Sequence, residues 1–276
     1  MKHETLETAG LAYVPCQYNS SRLTFRGPKR DTSGQYVAFV GGADTYGKFI
    51  ERPYPRLIEA ACGRPCVNLG VVNASIDAFV HDPAVVGLCA GAAVTVVQVM
   101  GAQNLSNRFY RVHPRRNDRF LDASSILRVI YPEVDFSEIA FTGHLLKRLY
   151  DVSPERFDIV RGELEQAWVA RMRLFLSQIG ANAVLMWFAS RPMDDTPWHE
   201  VSGAGQLEPA FVTKTMVDQL RPLVKDVVEV RPSRAALAEG TTRMVVPLLQ
   251  TSVAAERLSV RCHQEAAEQL LPHIIS

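Results

Sequence analysis

Tyr36-Val37-Ala38-Phe39-Val40-Gly41-Gly42-Ala43-Asp44-Thr45-Tyr46-Gly47 is the stretch on which the fold turns. An unbroken apolar run leads into two glycines and then a short polar turn. A run of that length, bounded by turn formers, reads as a strand buried on both faces. Strands buried on both faces belong to parallel sheets covered by helices. The Gly-rich turn that follows lets backbone N–H groups face a ligand. The GxGxxG spacing of a dinucleotide loop is absent, and no GK[ST] follows as in a nucleotide-triphosphate loop.

Working outward, the same pattern repeats. Residues 50–62 carry helical spacing (Ile50, Leu57, Ile58, Ala61) and stop at Gly63. Residues 65–69 read as a second short strand ending at Gly70. Residues 75–86 read as helix, interrupted near Pro83, and residues 93–100 as a β-branched third strand ending at Gly101. Short apolar strands alternating with helices imply parallel βαβ units. Residues 102–120 read as polar and rich in arginine and asparagine, and 121–150 as helical segments broken at Pro132 and Gly143. The clearest helix covers 154–178, with Phe157, Val160, Leu164, Trp168, Met172 and Phe175 on one face. Strands are expected at 183–189 and 224–230, helices at 211–220 and 261–274, and a Pro/Gly/Asp loop at 190–208. The fold class is α/β: a three-layer α/β/α sandwich, flavodoxin-like, with about five parallel strands and a ligand site outside their carboxyl ends. Residues 1–34 read as an N-terminal arm that wraps its own domain or a partner. Residues 35–276 read as one α/β domain with a helical insertion around 111–179.

Bulk properties narrow the function. With 276 residues, 47% apolar and 21% charged, the chain suits a globular domain able to bury a large core. A net charge of +1 provides no global field toward nucleic acid or membrane, so neither partner is expected. The five cysteines, Cys16, Cys62, Cys66, Cys89 and Cys262, form no C-x-x-C pair. They read as buried free thiols in a reducing compartment. The opening residues carry no long apolar run, so no secretory signal is read there and a cytoplasmic location is expected. No metal site and no cofactor are expected.

Four short blocks together resemble the SGNH, or GDSL-type, hydrolase superfamily, in an uncharacterised bacterial branch. Ala43-Asp44-Thr45 is similar to the family's Gly-Asp-Ser after strand one. Asn68-Leu69-Gly70 matches the glycine after strand two. Gly101-Ala102-Gln103-Asn104 resembles the Gly-x-Asn after strand three, and His263 stands for the C-terminal histidine. The resemblance implies acyl transfer: a hydroxyl attacks an ester carbonyl, a histidine is the base, and backbone and Asn donors hold the oxyanion. It assigns Asp44, Thr45 and His263 as catalytic, and Gly70 and Asn104 to the oxyanion hole. The sequence departs from the pattern in three places. Thr45 stands where serine is usual, Gln103 occupies the family spacing of the asparagine, and Val260 replaces the acid three residues before His263.

A second feature is the run from Asn107 to Arg119, which holds Arg108, Arg111, Arg115 and Arg116. Guanidinium forks suit phosphate, sulfate or carboxylate. These four arginines are therefore the candidate substrate-binding residues. Asp194-Asp195 with Trp198 and His199 is a weaker candidate for an acid or a metal ligand. The expectation is a hydrolase or acyltransferase acting on an ester of an anionic or sugar-derived substrate. The alternative is a non-catalytic anion- or carbohydrate-binding protein on the same scaffold. A homo-oligomer built through the arm and the arginine run is a further expectation.

Overall fold

The computed structural model describes residues 10–196 and 208–275. A parallel sheet contains β1 (Val37–Gly41), β2 (Cys66–Gly70), β3 (Val94–Gln98), β6 (Ala183–Phe188) and β7 (Asp226–Val230). Their order is β2-β1-β3-β6-β7. With the separate hairpin of β4 (Tyr110–His113) and β5 (Arg116–Ala123) set aside, this is the flavodoxin-like order.

Side chains of a strand alternate between faces, and here both faces are covered. Val37 and Phe39 pack with Tyr54 and Ile58 of α2 (Tyr54–Cys62) and with Ala266 and Leu270 of α11 (Val260–Ile275). Ala38 and Val40 lie in the opposite core, with Leu88 of α4 (Pro83–Gly91) and Trp168, Met172 and Phe175 of α7 (Pro154–Ile179). The remaining helices are α1 (Ala43–Tyr46), α3 (Asp77–Val80), α5 (Ser125–Ile130), α6 (Thr142–Val152), α8 (Lys214–Asp218), α9 (Arg234–Ala238) and α10 (Thr251–Ala255). The three-layer α/β architecture expected from the sequence is present.

Local chemistry explains the boundaries. The Ser153 hydroxyl accepts from Arg156 N, and Pro154 opens α7; both are favoured at a helix start. The helix expected over 75–86 divides because Asp82 caps α4, accepting from Ala84 N and Val85 N ahead of Pro83. Residues 102–120, read only as polar, contribute to the β4–β5 hairpin. Tyr110, Val112, Asn117, Phe120 and Ala123 are its buried positions. Arginines on the outward positions hid that alternation.

The described arm, residues 10–34, wraps its own domain. Tyr18, Leu23 and Phe25 are buried. Arg26 donates from Nη1 to the carbonyls of Tyr46 and Gly47, at 3.2 and 2.6 Å, and from Nη2 to that of Glu51 at 2.8 Å. All five cysteines are free thiols, and burial pushes Cys66 and Cys89 upward in pKa. No helix among the described residues is long and apolar enough to cross a membrane.

Candidate active site at the carboxyl edge of the sheet

A sheet of this order opens a crevice where neighbouring strands lead off in opposite directions. Here those strands are β1 and β3. Gln98 ends β3 and organises the crevice floor. Its Oε1 accepts from Gly42 N at 3.1 Å, Thr45 N at 3.3 Å and Thr45 Oγ1 at 2.6 Å. One buried amide thus anchors the first turn after β1. Gly41 leaves room for it, since a Cβ there would stand 2.1 Å from Thr45 Oγ1. Gly70 lets the same turn rest on the end of β2: a Cβ there would lie 2.2 Å from Tyr46 N.

These contacts decide where the expected residues lie. Thr45 is fully buried, and besides Gln98 its hydroxyl meets Tyr54 Oη at 2.7 Å. His263 is also buried. Its Nδ1 accepts from Tyr54 N at 3.3 Å, and its ring lies between Tyr54 and Phe188. Burial, with a smaller contribution from Arg26, pushes the imidazole down to about 3, so it is neutral at ordinary pH. Gly70 lies beneath α1 and spaces it from the strand. Thr45, His263 and Gly70 all belong to the packing behind the crevice, and none of them lines it.

Asp44 and Asn104 do reach it. Two hollows of about 70 and 280 Å³ meet at Asp44, Phe188, Glu208 and Arg257, which line both. Asn104, on the rim of the smaller one, accepts from Thr142 Oγ1 at 2.6 Å and donates to Asn73 O at 3.5 Å. The four arginines line neither hollow. Arg108 Nε pairs with the buried Glu163 at 2.5 Å, Arg111 with Asp122 at 3.6 Å, and Arg115 and Arg116 sit at the hairpin tip. Asp194 and Asp195 receive N–H groups from Thr196 and Thr215. Trp198 and His199 lie outside the described residues. No group of three His, Cys, Asp or Glu among the described residues could hold a metal.

Among the side chains that line the crevice are Asp44, Glu208, Arg257 and Gln103. Burial raises the Asp44 carboxyl, opposed by the Arg257 charge, the Gln98 amide and the Leu258 N–H. Glu208 retains solvent-exposed surface, yet the protein packed around its carboxyl raises it as well. Gln103 Nε2, Arg257 and Ala210 N–H oppose that rise, and the Asp44 charge adds to it. Gln103 Nε2 reaches Glu208 Oε1 at 2.6 Å. Two buried atoms here, Gln103 Oε1 and Arg257 Nε, have no hydrogen-bond partner. Such atoms are uncommon in folded proteins and call for a reason.

Sequence reasoning missed Gln98, Glu208 and Arg257. Gln98 left a signal, as the one amide in the apolar run 94–100. Arg257 stands three residues ahead of α11, outside the helix that carries His263. Glu208 lies in a Pro/Gly loop with no periodicity to single it out.

The crystal structure of a lipase, Lip_vut3 from a goat rumen metagenome, resembles this chain with a TM-score of 0.44 at 12% identity, covering 87% of this chain and 97% of that one. No curated protein matches the sequence. Residues 1–276 match a family described as a domain of unknown function, DUF6473. The chain belongs to the DUF6473 family.

Proposed function

We propose that this protein is a hydrolase of SGNH-like architecture that cleaves an ester of a sugar-derived substrate. Its reacting groups are the carboxyls of Asp44 and Glu208, with Arg257 lining the crevice beside them. The observation that carries this reading is the coupling of the two acids at one crevice. Burial raises both carboxyls, and the negative charge of Asp44 further favours the proton on Glu208. Paired carboxyls of which one ionises ahead of the other divide into a base and an acid.

In this mechanism the Asp44 carboxylate takes a proton from a water as that water's oxygen bonds to the ester carbonyl carbon. The carbonyl oxygen becomes an oxyanion, and the Arg257 guanidinium, with its unpaired buried Nε, stabilises it. Collapse breaks the bond to the alkoxide, which takes the Glu208 proton. The products are a carboxylic acid and an alcohol. Amides of Asn73, Gln103 and Asn104 on the rim suit the hydroxyls of a sugar.

The test is hydrolysis of glucose pentaacetate and p-nitrophenyl acetate by wild type, Asp44→Asn and Glu208→Gln. General acid–base groups contribute about 10²–10⁴-fold each, so each variant is expected to lose at least about a hundredfold. Turnover unchanged in both variants overturns the reading. A second reading, a sugar-binding protein without turnover, is favoured by one observation: the buried unpaired atoms of Gln103 and Arg257 serve recognition whether or not a bond breaks. Sugar binding that Asp44→Asn weakens, in the absence of any wild-type turnover, selects it.

A further inference from the structure

The arginine run leads to another groove, which shares no lining residue with the crevice. It encloses about 570 Å³, within the roughly 300–1,000 Å³ of small-ligand sites. Three separate pieces of chain build it: the arm at 20–23, the α3–α4 junction at 77–83 and the hairpin tip at 113–115. Arg22 enters from the arm, Arg115 from the tip, His81 from the junction and His113 from the end of β4.

The groove's acceptors are already used and its donors are not. Asp77 Oδ1 pairs with Arg171 Nε at 2.9 Å, and its Oδ2 accepts from Ser106 N at 2.9 Å. Asp82 accepts from Ala84 N, Val85 N and Ser21 Oγ at 3.0, 3.2 and 2.7 Å. Arg22 and Arg115 are exposed, and neither forms an ion pair among the described residues. His113 Nδ1 accepts from the N–H groups of Arg115 and Arg116 at 3.2 Å each. In the neutral ring that bond puts the proton on Nε2, which makes Nε2–H the donor. The hairpin backbone thereby sets the tautomer and the tip together.

We propose that this groove binds a small phosphate-bearing molecule, with its oxyanion between Arg22 and Arg115 and an Nε2–H donor from His113. Guanidinium forks match phosphate oxygens two at a time. The volume leaves room for a sugar-sized body against Leu23 and Pro83. The site is independent of the crevice chemistry and stands or falls separately from it.

Isothermal titration of the full chain with glucose 6-phosphate, inorganic phosphate and glucose tests it. Glucose 6-phosphate is expected to bind, inorganic phosphate to bind more weakly, and glucose alone to give no heat. Arg22→Ala and Arg115→Ala should each weaken the sugar phosphate by about tenfold, the scale of one lost charge-assisted contact. Asp44→Asn should leave it unchanged. Both arginines are exposed, so circular dichroism of the variants should match wild type. No heat from either phosphate compound at millimolar concentration, heat from glucose alone, or undiminished binding in the double variant overturns the proposal.

Discussion

At the scale of single residues, the site depends on which of two neighbours faces outward. Asp44 and Thr45 are consecutive, but each step along a helix rotates the side chain by about 100°. Asp44 enters the crevice while Thr45 turns into the core, onto Gln98 and Tyr54. Thr45→Val should therefore cost about 1 kcal/mol of stability, as a buried hydroxyl bond is lost, read by urea unfolding. It should leave turnover nearly intact. Asp44→Asn should do the reverse. It removes a carboxylate whose charged form the site disfavours, so Tm should rise by about 2 °C while turnover falls. The location of this turn was legible in the sequence, since a buried strand ending in Gly-Gly has few other readings. The direction of each side chain was not, because it depends on Gln98, fifty-odd positions away, holding α1 by three bonds.

At the scale of elements, close backbone approach does the positioning. α1 rests on the end of β2 only because Gly70 lacks a Cβ, whose nearest neighbour would be backbone at 2.2 Å. Backbone does not yield as a flexible side chain does. Gly70→Ala should cost roughly 1–3 kcal/mol or more, and it should lower turnover through displacement of Asp44; chemical denaturation and kcat read the two effects. The glycine after strand two was found from the sequence, but it spaces elements here and offers no donor to the crevice. The entry to α11 contributes Arg257 to the crevice, whereas His263, within the helix, faces the core. Arg257 stands in the bend before the helix and His263 inside it, a difference that a histidine seen in isolation does not reveal. The hairpin escaped detection for a related reason: its outward positions are charged, so the inward Tyr110, Val112 and Phe120 looked scattered.

At the scale of the whole molecule, buried titratable groups should shape the dependence of stability on pH, in opposite directions. His263 has its folded pKa depressed from 6.5 to about 3. Below 6.5 the unfolded chain binds a proton that the folded chain refuses, so stability is full above that value and falls as pH drops toward 3. Asp44 and Glu208 have raised folded pKa values. The folded chain binds their protons more readily, so their contribution is present at low pH and is lost as pH rises through the folded values. Calorimetric Tm profiles should show His263→Asn with a smaller loss between about pH 6.5 and 3, and Glu208→Gln with a smaller loss as pH rises above the ordinary carboxylate value of 4.5. The layered parallel sheet was legible from strand runs such as 36–40 and 93–100, which local periodicity determines. The cleft was legible only as an edge, because Asp44, Glu208 and Arg257 come from three distant segments that no local pattern connects.

The most direct measurement is kcat/KM on glucose pentaacetate for Asp44→Asn and Thr45→Val beside wild type. Asp44→Asn should lose at least about a hundredfold, with Thr45→Val close to wild type. Loss of turnover in Thr45→Val, with Asp44→Asn fully active, would contradict the assignment of the reaction to the carboxyl pair.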